Sequence, residues 1–335
     1  METLYFLGVD IGKDSFHGAL TVDGQNFHDQ EVKNTTAAIK KYFQDLKAAF
    51  RFAPRQLVVC MEHTGIYCYP LLDYLTKQGI NVCVEPAIQI KQSQGLQRGK
   101  NDKVDAKRIA RYLYKNHTDL RFWKPKREII QKLKALLVVR ERLIIAKIQF
   151  EVPVRESREF ISKSISTLAA KNCQSTLRAI KQDIRKVDQE VSKIIKHDIS
   201  LSAQMKLATS VTGIGTIIAA NMIVTTNEFK DIREHKKYAC YSGIAPFENR
   251  SGKSVWGKTR VSHMANKRMK TLLHLGARSA IQHSPELKQY YHRKRAEGKP
   301  PFLVMNAVCN KLISRIFVCI NNNRLYQKNY SQAIV

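Results

Sequence analysis

LYFLGVD, residues 4–10, is an apolar run that closes on a carboxylate, and its reading as a buried strand from Leu4 to Asp10 decides the rest of the N-terminal region. Working outward, Phe16 to Val22 and Phe27 to Val32 read as second and third strands, joined by turns at Gly12 and Asp23-Gly24. The three make a β-meander. Asn34-Thr35-Thr36 then caps a helix whose apolar positions Ile39, Tyr42, Phe43 and Leu46 recur at helical spacing. Pro54 ends that region before a second buried-strand run, Gln56 to Met61, which closes on Glu62. A helix from Pro70 to Lys77, a stop at Gly79, a strand from Ile80 to Val84, and helices at Pro86 to Ser93 and Asp102 to Tyr114 complete the pattern. Strands in a meander, then alternating with helices, predict an α/β domain with a mixed sheet over residues 1–125.

From residue 126 the periodicity becomes helical. Ile129, Ile130, Leu133, Leu136, Leu137, Leu143, Ile144 and Ile148 predict one apolar face of a long helix that stops at Pro153. Leu177, Ile180, Ile184, Val187, Val191 and Ile194 step by three and four, the spacing of a coiled-coil seam. That seam suits either a helical hairpin closing on itself or a dimer contact or rigid spacer, so 126–200 is read as a helical coiled-coil linker or oligomerisation region. Residues 201–335 read as a mostly helical domain. SVTGIGT, residues 210–216, reads helix, turn, helix: Gly213 and Gly215 could present backbone N–H groups to a phosphate, as in a helix-hairpin-helix, or serve plain helix packing.

Composition narrows the function classes. The 335 residues include 57 Lys or Arg against 28 Asp or Glu, a formal net charge of +29. The surplus is uneven: residues 1–125 hold 18 basic against 13 acidic residues, net +5, and residues 126–335 hold 39 against 15, net +24. Such a charge gathers polyanions, nucleic acid first and anionic membrane second, and no lipidation motif or polybasic amphipathic helix favours the membrane. No apolar run is expected to reach the roughly 18 to 20 residues of a spanning helix, Ile217 to Val224 being among the longest. The N-terminus does not read as a secretion signal, so an intracellular, cytoplasmic protein is expected. The seven scattered cysteines have neither C-x-x-C nor zinc spacing and are expected to be small buried apolar side chains.

Four carboxylates stand out by position. Asp10 ends the first strand, Glu62 follows the strand from Gln56, and Asp102 and Asp105 stand three apart on one helical face. Singly, each has an ordinary reading as a turn, cap or helix-start residue. Jointly, four convergent carboxylates need cations, and an all-oxygen set selects Mg²⁺ or Mn²⁺, which as a pair activates a nucleophile and stabilises the leaving oxygen of a phosphodiester. Arg98, Lys100, Lys103, Lys107, Arg108 and Arg111 lie around the last pair and suit substrate phosphates.

These segments, with MEHTG at 61–65 and NDKVDAKRIA at 101–110, resemble the RuvC-like, ribonuclease H-type domain of the 110 family of insertion-sequence transposases, the bridge-RNA-guided recombinases, and of the related Piv invertases. SVTGIGT, YSGIAP at 241–246, NRSGKS at 249–254 and RVSHMANKRMK at 260–270 resemble the family's C-terminal transposase domain, with a small departure at His263-Met264. The resemblance implies an α/β plus all-α protein: a metal-binding catalytic domain at 1–125, the helical middle, and a transposase domain at 201–335. It implies that Asp10, Glu62, Asp102 and Asp105 hold the metal and that Ser251 is the nucleophile that keeps one DNA end as a phosphoserine. Lys253, Lys258, Arg260, Lys267 and Arg268 would bind backbone phosphates, and Ser254 is the alternative hydroxyl. The implied partners are donor and target DNA, a structured non-coding guide RNA, and further copies of the chain in a dimer or tetramer. The implied location is the cytoplasm of a prokaryotic cell, at the nucleoid.

Two rival readings remain at this point. A RuvC-like junction-resolving nuclease would use metal-activated water with no covalent step, and a catalytically silent nucleic-acid-binding protein would keep only the binding surface. A tyrosine recombinase is weaker, because Tyr290, Tyr291, Tyr326 and Tyr330 lack a recognisable Arg/His setting.

Overall fold

The computed structural model describes residues 4–93, 95, 101–251 and 255–327, and divides into two compact units, Met1–Pro125 and Lys126–Val335. The first is an α/β unit. Its strands β1 (Tyr5–Ile11), β2 (Ser15–Thr21), β3 (His28–Lys33), β4 (Leu57–Glu62) and β5 (Asn81–Glu85) form one mixed sheet in the order β3-β2-β1-β4-β5. The meander β1-β2-β3 is antiparallel, whereas β4 and β5 join β1 in parallel. The parallel joins use crossover helices, α1 (Thr36–Phe50) before β4 and α2 (Tyr69–Lys77) before β5. Thr35 caps α1, its side chain accepting from the Ala38 N–H, as the Asn-Thr-Thr signal requires.

Alternation along the strands sorts side chains onto two faces. Val9, Val59 and Met61 are buried against Ile39, Phe43 and Leu46 of α1 and Leu71, Leu72 and Leu75 of α2. The opposite face presents Phe6, Val58, Cys60 and Cys83, covered by Ile109, Tyr112 and Leu113 of α4 (Asp102–Lys115). A short helix α3 (Ala87–Gln92) sits between β5 and α4, its Gln89 side-chain amide donating to the Tyr112 hydroxyl at 3.0 Å.

The second unit is mostly helical. α5 (Glu128–Phe160) and α6 (Lys163–His197) form an antiparallel hairpin, with Arg140 paired to Asp188 at 2.6 Å and Lys181 to Glu151 at 2.9 Å. The seam of α6 therefore closes on α5 within the chain. Pro153 does not stop α5, which runs seven residues past it. Proline removes only one intrahelical hydrogen bond and clashes locally, and packing of α5 along α6 holds the helix together across it.

Beyond the hairpin come α7 (Ile199–Thr209), α8 (Thr216–Thr225), α9 (His235–Tyr241), a two-stranded hairpin of β6 (Phe247–Ser251) and β7 (Val255–Arg260), α10 (Lys267–His283), α11 (Pro285–Ala296) and α12 (Pro301–Asn321). One core joins Leu133 of α5, Val191 of α6, Ile223 of α8, Tyr238 of α9, Leu273 of α10 and Phe317 of α12. α12 corrects the expectation about apolar runs: it is long and apolar enough to cross a membrane by length and composition. In this fold it buries Val304, Val308, Leu312, Ile313 and Ile316, so its apolarity is explained by its place in the core. Five of the seven cysteines are buried, Cys173 and Cys240 being half-buried.

Candidate active site

Asp10 and Glu62 lie at the carboxyl ends of adjacent parallel strands, Glu62 as the last residue of β4 and Asp10 one residue before the end of β1, which runs on to Ile11 rather than stopping at Asp10. Val9 of β1 is in register with Met61 of β4, and Asp10 and Glu62 each come one residue later. Alternation puts both on the sheet face that carries Phe6, Gly8, Val58 and Cys60, the face α4 covers. Both carboxylates are half-buried and each has an interaction partner.

The direction of α4 follows from its contacts. Tyr114, near its C-terminal end, meets Phe6 edge-on at 5.5 Å, and the helix backbone at Ala106 and Ala110 rests on Gly8. α4 thus runs opposite to β1, and its first turn, with Asp102 and Asp105, lies toward the Asp10 end of the strand. A Cβ on Gly8 would fall 2.7 Å from the Ala110 Cα. Only glycine permits this approach. The Asn101 side chain caps the helix, accepting from the Val104 N–H at 2.8 Å, and Asp102 and Asp105 complement the positive end of its dipole.

The charges around α4 are largely engaged within the unit. Arg108 donates to Asp105 at 2.7 Å, a half-buried pair within one turn. Lys103 and Lys107 reach Asp29 of β3 at 2.9 and 3.4 Å and hold its carboxyl below the usual range. Arg111 donates to the Gly24 carbonyl at 3.2 Å and stands over the Phe27 ring. Arg98 and Lys100 lie outside the described residues.

A fifth carboxylate, Glu85, is paired in register with Glu62 across β4 and β5. Burial pushes its pKa up, against a smaller opposing effect of Arg121. Its signal in the sequence is the strand NVCVE at 81–85, which ends in Glu just as QLVVCME at 56–62 does. The thiols beneath these carboxylates are inert: burial holds Cys60 well above its ordinary pKa, and burial with the nearby Glu85 charge pushes Cys83 up to about 12.

The donor set at this strand end is oxygen-only and anionic, the chemistry a hard divalent cation takes. The side chains are not gathered around one point: among the described residues no three Asp, Glu, His or Cys groups stand close enough to hold an ion. Asp105 is turned to Arg108 instead.

In the second unit, Ser251 is the last residue of β6, in register with Val255 of β7. Residues 252–254, Lys253 and Ser254 among them, lie outside the described residues. Lys258 falls within β7 and Arg260 ends it, exposed. Lys267 opens α10 and is exposed, whereas Arg268 reaches back to Glu141 of α5 at 3.3 Å. The two glycines of the GIG turn separate. Gly213 has φ +91° and meets α10, where an added Cβ would fall 2.5 Å from the Gly276 carbonyl oxygen and 2.7 Å from the Ala280 Cβ. Its reason is packing. Gly215, the N-cap of α8, has nothing within 4 Å of its Cβ position and keeps that helix N-terminus open.

An α/β unit with carboxylates at the ends of its parallel strands, followed by a helical unit carrying a hydroxyl on a basic hairpin, fits an enzyme that acts on nucleic acid. A family model described as a transposase, of the IS110 DEDD type, matches residues 7–154, and a second, the transposase IS116/IS110/IS902 family, matches residues 205–292. The chain belongs to the IS110 transposase family. It is 24% identical over 330 residues to the pilin gene-inverting protein of Moraxella bovis, covering 96% of this chain and 98% of that one. An insertion element IS110 protein of Streptomyces coelicolor is 25% identical over 154 residues, 46% of this chain and 36% of that one. Among solved structures, RuvC of Thermus thermophilus aligns with 36% of this chain and 100% of its own at 15% identity, with a TM-score of 0.27.

Proposed function

We propose that this transposase cuts and rejoins DNA strands through a covalent intermediate on Ser251, assisted by Mg²⁺ or Mn²⁺ held by Asp10, Glu62, Asp102 and Asp105. The observation that carries the reading is the placement of Asp10 and Glu62 at neighbouring strand ends, with the Asp102–Asp105 turn directed toward them by the Gly8 contact. The bound cation would supply Lewis-acid polarisation of the phosphate and stabilisation of the leaving oxygen. Asp10, Glu62, Asp102 and Asp105 would hold and neutralise it, Asp105 giving up its Arg108 partner to do so.

Ser251 supplies the nucleophile. Its Oγ forms a bond to the scissile phosphorus as the bond from phosphorus to one deoxyribose oxygen breaks; the serine proton leaves and the departing oxygen takes one up. A deoxyribose hydroxyl of another strand then attacks the phosphoserine and returns the serine. One ester replaces another at each step, so no nucleotide hydrolysis is needed. Lys253, Lys258, Arg260, Lys267, Arg268 and the open α8 N-terminus at Gly215 hold backbone phosphates, and Arg98, Lys100, Lys103, Lys107 and Arg108 do so beside the carboxylates. A non-coding guide RNA selects donor and target by pairing, for which the +29 charge supplies a general polyanion affinity. Further copies assemble along the α5–α6 stem, where Val138, Val139, Ile145 and Ile148 are exposed apolar side chains.

The test traps the intermediate. Incubated with donor and target DNA, copurified RNA and Mg²⁺, then denatured, the protein is expected to carry covalent DNA. Ser251→Ala should bind DNA and form no adduct, and Asp10→Asn should also lose it. A Ser251→Ala protein that recombines at full rate overturns the assignment. Strand cleavage without an adduct would favour the junction-resolving alternative.

A further inference from the structure

The tip of the α5–α6 hairpin carries a feature that neither the strand-end carboxylates nor the Ser251 hairpin explains. Between Val154 and Lys181 the sequence has six Lys or Arg against two Glu. In the fold, Arg158 of α5 and Lys163, Lys171, Arg178 and Lys181 of α6 line one cleft of about 780 Å³, with no carboxylate among its lining residues. Lys181 is paired with Glu151. Arg158, Lys163, Lys171 and Arg178 form no ion pair among the described residues, and all four are exposed. Cations on two antiparallel helices, facing one groove without counter-charges, repel one another until a polyanion enters.

The turn that joins the helices adds an aromatic. Phe160, the last residue of α5, is 83% exposed. Phe160 does not itself line the cleft but lies along the chain between Arg158 and Lys163, which do. An exposed ring near a basic groove is the pairing that single-stranded nucleic acid uses, with phosphates along the charge and a base on the ring. In a duplex the bases are already stacked. We propose that the hairpin tip binds a single-stranded nucleic-acid segment, its backbone in the Arg158–Arg178 cleft and an unpaired base on Phe160. The inference rests on the nucleic-acid function proposed above for its ligand class. It needs neither Ser251 nor the carboxylates, so it can fail while the strand-transfer chemistry holds, and the reverse.

The experiment uses the full chain and a fluorescently labelled single-stranded oligonucleotide, as RNA and as DNA, with the matching duplex as a third probe. Affinity is measured by anisotropy over a salt series. The combined variant Arg158→Gln, Lys163→Gln, Lys171→Gln and Arg178→Gln should bind either single strand at least about tenfold more weakly, its log–log salt slope shallower by up to about 3 if all four cations meet phosphates. Phe160→Ala should weaken single-strand binding about fivefold or more and leave duplex binding unchanged. Whichever of the RNA and DNA probes loses more identifies the segment held. Lys163→Gln alone, a single exposed change, gives the same reading on a smaller scale should the combined variant misfold. Unchanged affinity and slope in the substituted proteins overturn the proposal. It is equally overturned if Phe160→Ala alters sedimentation but not binding, because exposed Ile161, Ile165 and Leu168 would then mark a contact with a second copy.

Discussion

Gly8 of β1 lies directly beneath the backbone of Ala110 on α4, so close that a single methyl on Gly8 would fall 2.7 Å from the Ala110 Cα. This contact sets the height of α4 above the sheet and thereby where its first turn, with Asp102 and Asp105, stands relative to Asp10. Gly8→Ala cannot be absorbed by a rotamer change, because the atoms it meets are main chain. We expect destabilisation by about 3 kcal/mol, the upper part of the overpacking range, with loss of strand cleavage at temperatures where the protein remains folded. Denaturant unfolding and a cleavage assay check the two effects separately.

Arg108 holds Asp105 at 2.7 Å from within the same turn of α4. A divalent cation recruiting Asp105 has to displace that guanidinium. Arg108→Gln should therefore lower the Mg²⁺ concentration at which cleavage is half-maximal, by about twofold if the pair contributes the roughly 0.5 kcal/mol typical of helix pairs. A metal titration at saturating DNA measures it, and a higher metal requirement would show that Arg108 serves the site in another way.

Much of this arrangement was legible in the sequence, and the parts that were not have physical causes. The carboxyl ends of the two strands could be read because buried strands are short apolar runs closing on a carboxylate; β4 does end at Glu62, whereas β1 runs one residue past Asp10 to the buried Ile11. The placement of Asp102 and Asp105 in one helical turn followed from their spacing. Glu85 was missed because its strand was expected to stop at Val84, one residue short of the register partner of Glu62. The passage of α5 through Pro153 could not be foreseen from local propensity, because packing along α6 sustains it. The β6–β7 hairpin around Ser251 was hidden for the opposite reason: a basic, serine-rich segment carries no apolar alternation to announce strands.

The GIG turn offers two glycines with different duties, and alanine should separate them. Gly213 combines φ +91° with contact against Gly276 and Ala280, so Gly213→Ala is strained in its backbone and overpacked. It should destabilise the second unit by about 2 to 3 kcal/mol, seen as a lowered Tm. Gly215 has an ordinary φ and open space at its Cβ position, so Gly215→Ala should leave the Tm unchanged. If the α8 N-terminus meets a DNA phosphate, the added methyl crowds that approach and DNA affinity falls; unchanged affinity would remove Gly215 from the interface.

Arg127, the N-cap residue of α5, joins two distant parts of the second unit. Its guanidinium donates to Asp198 at 2.8 and 3.1 Å and to Glu228 at 2.6 and 3.0 Å. Glu228 is buried, and Lys230 shares its Oε2 with the Arg127 Nε, at 3.0 Å. It sits in the middle of three consecutive non-glycine residues with left-handed backbone, Asn227, Glu228 and Phe229, at φ 50°, 59° and 60°. Such residues cost about 1 to 2 kcal/mol each, and the turn is held by the Phe229 N–H on the Thr226 hydroxyl and by the Arg127 pair. Burial alone would raise the Glu228 pKa, but the Arg127 and Lys230 hydrogen bonds outweigh it and hold the carboxyl below its ordinary 4.5; Arg127 likewise lowers Asp198 below 3.8. Carboxylates with depressed folded-state pKa values stabilise the fold at neutral pH. That contribution is lost as pH falls below about 4.5 and through the lowered values. Arg127→Ala leaves Glu228 buried with Lys230 as its one remaining cation and the Ser200 hydroxyl at 3.3 Å, and should cost about 3 kcal/mol at pH 7. It should also flatten the acid limb of stability against pH, because the carboxylates it depressed return toward their ordinary values. Chemical denaturation from pH 3 to pH 7 reads both effects, and an acid limb as steep as that of the unsubstituted protein would show that other carboxylates carry it.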